Sequence, residues 1–365
     1  MKRLVALLLC LLLLPFTGAY GLAEDVPPPA ADAISPAVDA LSPAETAAPQ
    51  EEPLPHLYTG RMRLSARVYE SWEIIDGVNH FATLPEGVWV KIHAVYPTYV
   101  LVTYESGGVT GYVNRICIEN PRIIDNQHTP PYGVDFNHFI AAIGADSAPI
   151  TTIPGGGDTL ITLYKGAKIS FIGFENGYAK IIYHRQYGYI DSNLLTDLQP
   201  VYYGAEDAGT DHPIASYTSF YKITTDKSNL NRIHNLKVAC EKMCRITLNT
   251  GDELNFNRDI GPYRTSEGYL PAGTITEEGL KDGVGGGTCQ VSSTLYNVVL
   301  QLPGLYVIYR RAHGNNGASY LPIWVDAAVG NSTQNFRFRN LYPFPIRFDT
   351  WVQDGAITIM MYRAE

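Results

Sequence analysis

Gly283-Val-Gly-Gly-Gly-Thr-Cys-Gln-Val-Ser-Ser-Thr-Leu-Tyr-Asn297 joins a glycine-rich run to an apolar stripe, with a single cysteine at the join. Gly283, Gly285, Gly286 and Gly287 permit backbone angles that a Cβ disfavours, so the chain here can turn sharply or pass close to a ligand. Beyond Cys289 the pattern changes to Leu295, Val298, Val299 and Leu302, apolar residues at helical spacing. The spacing predicts a helix with Thr288 as N-cap and Pro303-Gly304 as its stop. Cys289 then falls in the first turn, where free backbone N–H groups and the positive end of the helix dipole favour an anion. A thiol so placed can act as a nucleophile. No Gly-Lys-Ser/Thr follows the glycines, which excludes a phosphate loop of that kind.

Downstream, two residues can partner the thiol. His313, in Arg310-Arg-Ala-His-Gly, follows the run Leu305-Tyr-Val-Ile-Tyr, and Asp326 lies in the next, Tyr320-Leu-Pro-Ile-Trp-Val-Asp-Ala-Ala-Val. Both runs read as strands, as do Phe336-Arg-Phe-Arg, Pro345-Ile-Arg-Phe-Asp and Ala356-Ile-Thr-Ile-Met-Met-Tyr. Cys289, His313 and Asp326 form a candidate catalytic set of nucleophile, proton shuttle and orienting carboxylate. Gly286, Gly287 and Gln290 are candidate oxyanion donors. The competing reading makes Cys289 a small residue that fits a glycine turn, in a protein that binds without catalysis. Upstream, Arg258 and Arg264 either hold a carboxylate such as a peptide terminus or are ordinary solvated arginines. Further upstream, Asp226 to Cys244 sets Leu230, Ile233, Leu236, Cys240 and Met243 along one helical face. Helices first and a largely antiparallel sheet after them predict an α+β region, residues 212–365.

The rest of the 365 residues divides where composition changes. Met1-Lys2-Arg3, the apolar run Leu4 to Phe16 and the small residues up to Ala23 have the three parts of a secretory signal peptide, residues 1–23. Leu9 ahead of Cys10 argues against a lipid anchor there. No later run approaches the roughly 18 apolar residues of a spanning helix, so no transmembrane segment is expected after the signal. Residues 24–56 repeat proline and alanine with seven acids and no Lys or Arg, a composition that reads as an extended disordered tether. Much of the net charge of −9 sits there, which argues against nucleic acid as a partner. Outside the signal, Cys117, Cys240, Cys244 and Cys289 are too few for a disulfide scaffold. Cys240 and Cys244 read as two buried small residues, and no ligand set at metal spacing accompanies them. Neither a metal nor a cofactor is implied.

Two segments repeat one pattern. Leu84-Pro-Glu-Gly-Val-Trp-Val-Lys-Ile, Tyr99-Val-Leu-Val-Thr-Tyr and Gly111-Tyr-Val-Asn run parallel to Leu163-Tyr-Lys-Gly-Ala-Lys-Ile-Ser-Phe, Gly177-Tyr-Ala-Lys-Ile-Ile and Gly188-Tyr-Ile-Asp. This pattern resembles bacterial SH3-like (SH3b) domains, small all-β barrels attached to extracellular wall enzymes. The resemblance implies two such barrels, at residues 57–122 and 133–200, that bind wall peptides or act as spacers.

Farther on, Asn231-Arg-Ile-His-Asn-Leu-Lys-Val-Ala, Leu254-Asn-Phe-Asn, Gly261-Pro-Tyr-Arg-Thr, Gly268-Tyr269, the stretch at 283–297 and Phe336-Arg-Phe-Arg-Asn340 resemble the successive motifs of the VanW family. That family is named after an accessory protein of a vancomycin-resistance cluster, so the resemblance implies an envelope setting and carries no reaction. Where many members have His-Pro-His, this chain has Arg311-Ala-His313, keeping the second histidine alone. The order of Cys on a helix N-terminus, His, then Asp on the following strand is similar to transglutaminase-like and papain-like thiol enzymes. The expectation is a secreted, envelope-associated protein that acts on or binds cell-wall peptide (peptidoglycan), as a thiol amidase or transpeptidase or as a non-catalytic scaffold.

Overall fold

A computed structural model describes residues 53–73, 80–96, 98–123, 135–202, 208–276, 279–313, 317–322 and 325–365. The expected signal peptide and most of the expected tether lie outside these residues. The chain is engaged from Pro55 onward, whose carbonyl accepts from His93 Nδ1 at 2.6 Å. It forms a β-rich assembly of several antiparallel sheets with three α-helices among the described residues.

The first segment comprises β1 (Tyr58–Met62), β2 (Ala66–Tyr69), β3 (His80–Leu84), β4 (Trp89–Val95), β5 (Tyr99–Tyr104), β6 (Val109–Asn114) and β7 (Ile118–Ile123). They make one sheet in the order β3-β2-β6-β5-β4-β1-β7. Alternate side chains on the strands, including Val68, Val90, Ile92, Val100, Val102 and Val113, fill its core. The second segment comprises β8 (Phe139–Ile143), β9 (Ser147–Ile153), β10 (Gly156–Tyr164), β11 (Lys168–Phe171), β12 (Gly173–Glu175), β13 (Tyr178–Tyr183), β14 (Gln186–Asp191) and β15 (Leu195–Pro200). Its sheets run β10-β9-β14-β13-β12 and β11-β8-β15. With β11 and β12 taken as one strand interrupted at Ile172, this is the order of the first segment.

The recurrent Gly-Tyr motifs have a common physical cause. A Cβ on Gly111 would lie 2.5 Å from Val68 Cγ1, and one on Gly188 would lie 2.6 Å from Ile150 Cγ2, so the crossing strand leaves room for hydrogen alone. The last residue of each motif caps the short turn that follows: Asn114 accepts from Ile116 N at 3.1 Å and Asp191 from Asn193 N at 2.9 Å.

The C-terminal region begins with β16 (Pro213–Phe220), α1 (Lys227–Met243), β17 (Thr247–Leu248), β18 (Glu253–Asn255) and α2 (Phe256–Asp259). There follow β19 (Pro271–Thr276), β20 (Gly279–Val284), α3 (Thr288–Val299), β21 (Leu305–Arg310), β22 (Phe336–Asn340), β23 (Ile346–Gln353) and β24 (Ala356–Arg363). The sheets are β16-β24-β23-β17, β18-β22-β21 and the hairpin β19-β20. Helix α3 packs on β16 and β24, and α1 packs on β23, on β19 and on α3.

Two expectations for α1 need correction. Leu230 is 52% exposed, and the buried face instead runs through Asn235, Leu236, Ala239, Cys240 and Met243. Cys240 is buried, but Cys244 follows the helix on the exposed side, where its sulfur meets Thr350 Oγ1 at 3.1 Å.

Every residue of β16 is buried, because α3 covers one face and β11 packs against the other. The seam to the second segment is polar as well as apolar. Ser170 N donates to Thr218 Oγ1 at 2.8 Å, Thr218 and Thr358 hydroxyls meet at 2.8 Å, and Thr358 donates to Lys168 O at 2.6 Å. Phe220 belongs to the same apolar cluster as Ile169, Ile181 and Ile190 of the second segment.

Candidate functional site: a cysteine cleft

The glycine run packs its backbone tightly against the neighbouring elements. Gly287 has φ +105°, and a Cβ there would lie 2.8 Å from Arg232 Cγ; one on Gly286 would lie 2.6 Å from Ala272 O. Asn235 on α1 holds the loop down. It is fully buried, its Nδ2 donates to Leu270 O at 2.9 Å and Gly286 O at 3.0 Å, and its Oδ1 accepts from Leu270 N at 2.8 Å.

The N-cap of α3 is Gly287 rather than Thr288, since the backbone reverses through a left-handed residue that only glycine adopts cheaply; Thr288 is the first helical residue. The helix ends at Val299, short of Pro303. The amides of Thr288 and Gln290 bond Gly285 O at 3.2 Å and Gly287 O at 2.8 Å. Those of Gly287 and Cys289 have no hydrogen-bond partner among the described residues. Cys289 is half-buried, and its close polar contacts are Val329 O at 3.3 Å and Val329 N at 3.4 Å.

Helix α3 is buried almost all round, and its polar side chains bind the segment that carries Asp326. Ser293 Oγ accepts from Ala327 N at 2.9 Å and Ser292 Oγ donates to Ala327 O at 2.6 Å. Asn297 Nδ2 donates to Val325 O at 2.7 Å. This segment was expected to be a strand, yet none is found among its described residues. In place of a ladder, side chains of α3 meet the backbone at Val325 and Ala327, Arg310 meets Asp326 O, and Ala328 N donates to Arg311 O at 2.6 Å.

The clamp delivers Asp326 to His313. Asp326 Oδ2 accepts from His313 N at 2.8 Å and lies 2.5 Å from His313 Nδ1. Arg310 Nε donates to Asp326 O at 2.6 Å, and its Nη2 stands 3.5 Å from Oδ1. Burial works against a charged imidazole, but the bond to Asp326 and the neighbouring Cys289 sulfur outweigh it, and His313 is pushed up to about 10. Burial likewise opposes the Asp326 carboxylate, and the His313 and Arg310 interactions overcome that to hold it below its ordinary value. With Nδ1 on Asp326, Nε2 is the ring nitrogen left for the sulfur.

Cys289 and His313 open on a cleft of about 1270 Å³, whose walls also carry Gly287, Tyr320, Arg258 and Arg264. Two of the expected oxyanion donors are otherwise engaged. The Gln290 amide donates to Ser219 Oγ at 3.1 Å and Phe220 O at 3.0 Å, and Gly286 N donates to Gly283 O at 3.3 Å. Arg258 pairs with Asp259 at 2.6 Å, so its charge is met within the protein. Arg264 is exposed on the rim. Sequence reasoning missed Asn235, Ser292, Ser293, Asn297 and Arg310. Their signal was polar side chains interrupting otherwise apolar faces.

In the C-terminal region, residues 231–362 match the family model described as VanW like protein. A Bacillus subtilis (strain 168) protein called Uncharacterized protein YoaR is 27% identical over 198 residues, which covers 54% of this chain and 65% of that protein. The match thus spans less than two thirds of that relative's length. Among solved structures, NlpC1 from Trichomonas vaginalis aligns with 85% of this chain and 94% of its own, at 13% identity and a TM-score of 0.16. An NlpC/P60 family protein from Bacillus cereus ATCC 10987 aligns with 78% and 94%, at 9% identity and a TM-score of 0.15. Superpositions this loose carry no structural argument.

Proposed function

We propose that this protein is a thiol enzyme of the cell envelope that cleaves or transfers peptide amides of the cell wall. The observation that carries the reading is Cys289 at the start of α3, beside an imidazole whose other nitrogen is held by a buried carboxylate. The sulfur attacks the amide carbonyl carbon, and the oxygen that gains charge takes the free N–H groups of Gly287 and Cys289. The C–N bond breaks as His313, already protonated at neutral pH, gives its proton to the leaving nitrogen. Water or an acceptor amine then attacks the thioester while His313 takes a proton from it, releasing the acid or the new amide and returning the sulfur, which reacts and leaves as a thiolate, beside the protonated His313. In this reading the two SH3-like segments hold the enzyme to the wall, and the leader and tether export it and give it reach.

Purified full-length protein incubated with wall-peptide fragments is expected to cleave or exchange an amide, and Cys289→Ala to lower that rate on the order of 10³-fold or more. Iodoacetamide supplies an internal comparison, because Cys244 is an exposed thiol with no such neighbours. Cys289 should label faster than Cys244. Equal labelling, no amide chemistry and unchanged wall binding by Cys289→Ala would instead establish a non-catalytic envelope scaffold.

A further inference from the structure

A second cation borders the cysteine, and no carboxylate among the described residues pairs with it. Arg232 on α1 passes under Gly287, and its Nη2 donates to Gln290 Oε1, 2.5 Å away in the turn that carries Cys289. Gln290 is locked in that pose by Ser219 and Phe220, so the guanidinium is held in place by a rigid neutral acceptor. A guanidinium has five N–H donors. That bond to Gln290 is the one hydrogen bond it makes among the described residues, and no carboxylate there lies within ion-pair distance. Burial draws its pKa below the ordinary arginine value, so solvent screens this charge incompletely.

The charges around it do not cancel. Among the described residues the cleft wall carries Arg232, Arg258, Arg264 and His313 against one acid, Asp226, and because Arg258 is paired with Asp259 and His313 with Asp326, Arg232 and Arg264 are the cations there without a carboxylate partner. Asp226 is occupied as the N-cap of α1, accepting from Asn229 N at 3.1 Å, while Asp326 is fully buried behind His313. In a chain of net charge −9, this cleft concentrates positive charge around the thiol.

We propose that Arg232 binds a carboxylate carried by the substrate next to the amide that Cys289 attacks, which makes acidic peptides the substrate class of this cleft. The proposal takes the identity of the bond from the thiol-enzyme reading, but the binding it describes does not depend on turnover. The carboxylate is an acidic side chain or a free C-terminus, and a planar guanidinium meets either with paired hydrogen bonds.

The test uses the full chain as Cys289→Ala, so that binding is measured without chemistry. Calorimetry compares short peptides differing by Glu against Gln, and by a free against an amidated C-terminus. The carboxylate forms should bind at least about tenfold tighter, as expected for a charge-assisted bond, with the larger of the two differences identifying the carboxylate. Adding Arg232→Gln should erase that difference, and Arg232→Lys should retain part of it, which serves if the glutamine variant folds poorly. A preference that survives Arg232→Gln, or the absence of any preference, overturns the proposal. The companion assay follows cleavage by the wild-type chain. Loss of acidic preference in Arg232→Gln with no cleavage of any peptide would keep the subsite and sink the enzymatic reading; cleavage indifferent to the carboxylates would do the reverse.

Discussion

The charge states of His313 and Asp326 set a pH window for this site. A group whose folded pKa is raised stabilises fully below its unfolded value and ceases to do so as pH climbs through the folded one. For His313 that loss runs from about 6.5 to about 10. Asp326 is shifted the other way, so its contribution is present above about 3.8 and disappears on further acidification. The pair therefore stabilises fully between these limits. Asp326→Asn should flatten the alkaline limb of a thermal-unfolding profile between pH 6.5 and 10. It should also cost about 3–5 kcal/mol near neutrality, the usual penalty for breaking a buried ion pair. A variant profile running parallel to the wild-type one would refute the assignment. Cys289, His313 and Asp326 were each legible as residue types in a chain order. Arg232 was not, because its meaning lies in the carboxylates missing around it, and absence of a partner leaves no mark in sequence.

At the scale of elements, the site depends on a helix doing the work of a strand. The run from Tyr320 to Val329 has the β-branched and aromatic content of a strand, but its neighbour in space is α3. Ser292, Ser293 and Asn297 replace the ladder. Ser293→Ala leaves the Ala327 N–H buried without its acceptor, which costs about 1–3 kcal/mol. Hydrogen exchange at Ala327 to Val329 should accelerate while α1 is unaffected, and iodoacetamide labelling of Cys289 should change rate. Unchanged exchange there would show that the segment is held by packing alone. The loop is equally intolerant: Gly287→Ala meets both a positive φ and Arg232, and should cost at least about 1–2 kcal/mol in thermal unfolding.

Across the whole molecule, the repeated β segments are joined to the region that holds the cleft. Phe220 ends the strand beneath α3 and packs among side chains of the second segment, 4.9 Å between ring centroids from Tyr183. Phe220→Ala should cost about 3–5 kcal/mol and weaken exchange protection in residues 139–200 and in β16 together. Loss confined to β16 would mean that the two units fold independently. The repeat itself was readable, because Gly111 and Gly188 answer to a local steric demand and Asn114 and Asp191 to a local cap. The packing of the second copy on β16 was not, because it rests on hydroxyls and one phenylalanine that are ordinary residues in sequence.

What the sequence determined alone is what nearest neighbours along the chain decide: a glycine turn entering a helix at Cys289, a core helix upstream, paired β patterns with their glycines and caps. Tertiary structure decided the rest. It assigned the Gln290 amide to the floor and its oxygen to Arg232, turned an expected strand into a segment clamped by α3, and brought His313 and Asp326 to the thiol. The reason is physical. Turns, caps and side-chain periodicity are set within a few residues, whereas burial, charge balance and hydrogen-bond completeness depend on which distant segment occupies the adjoining space.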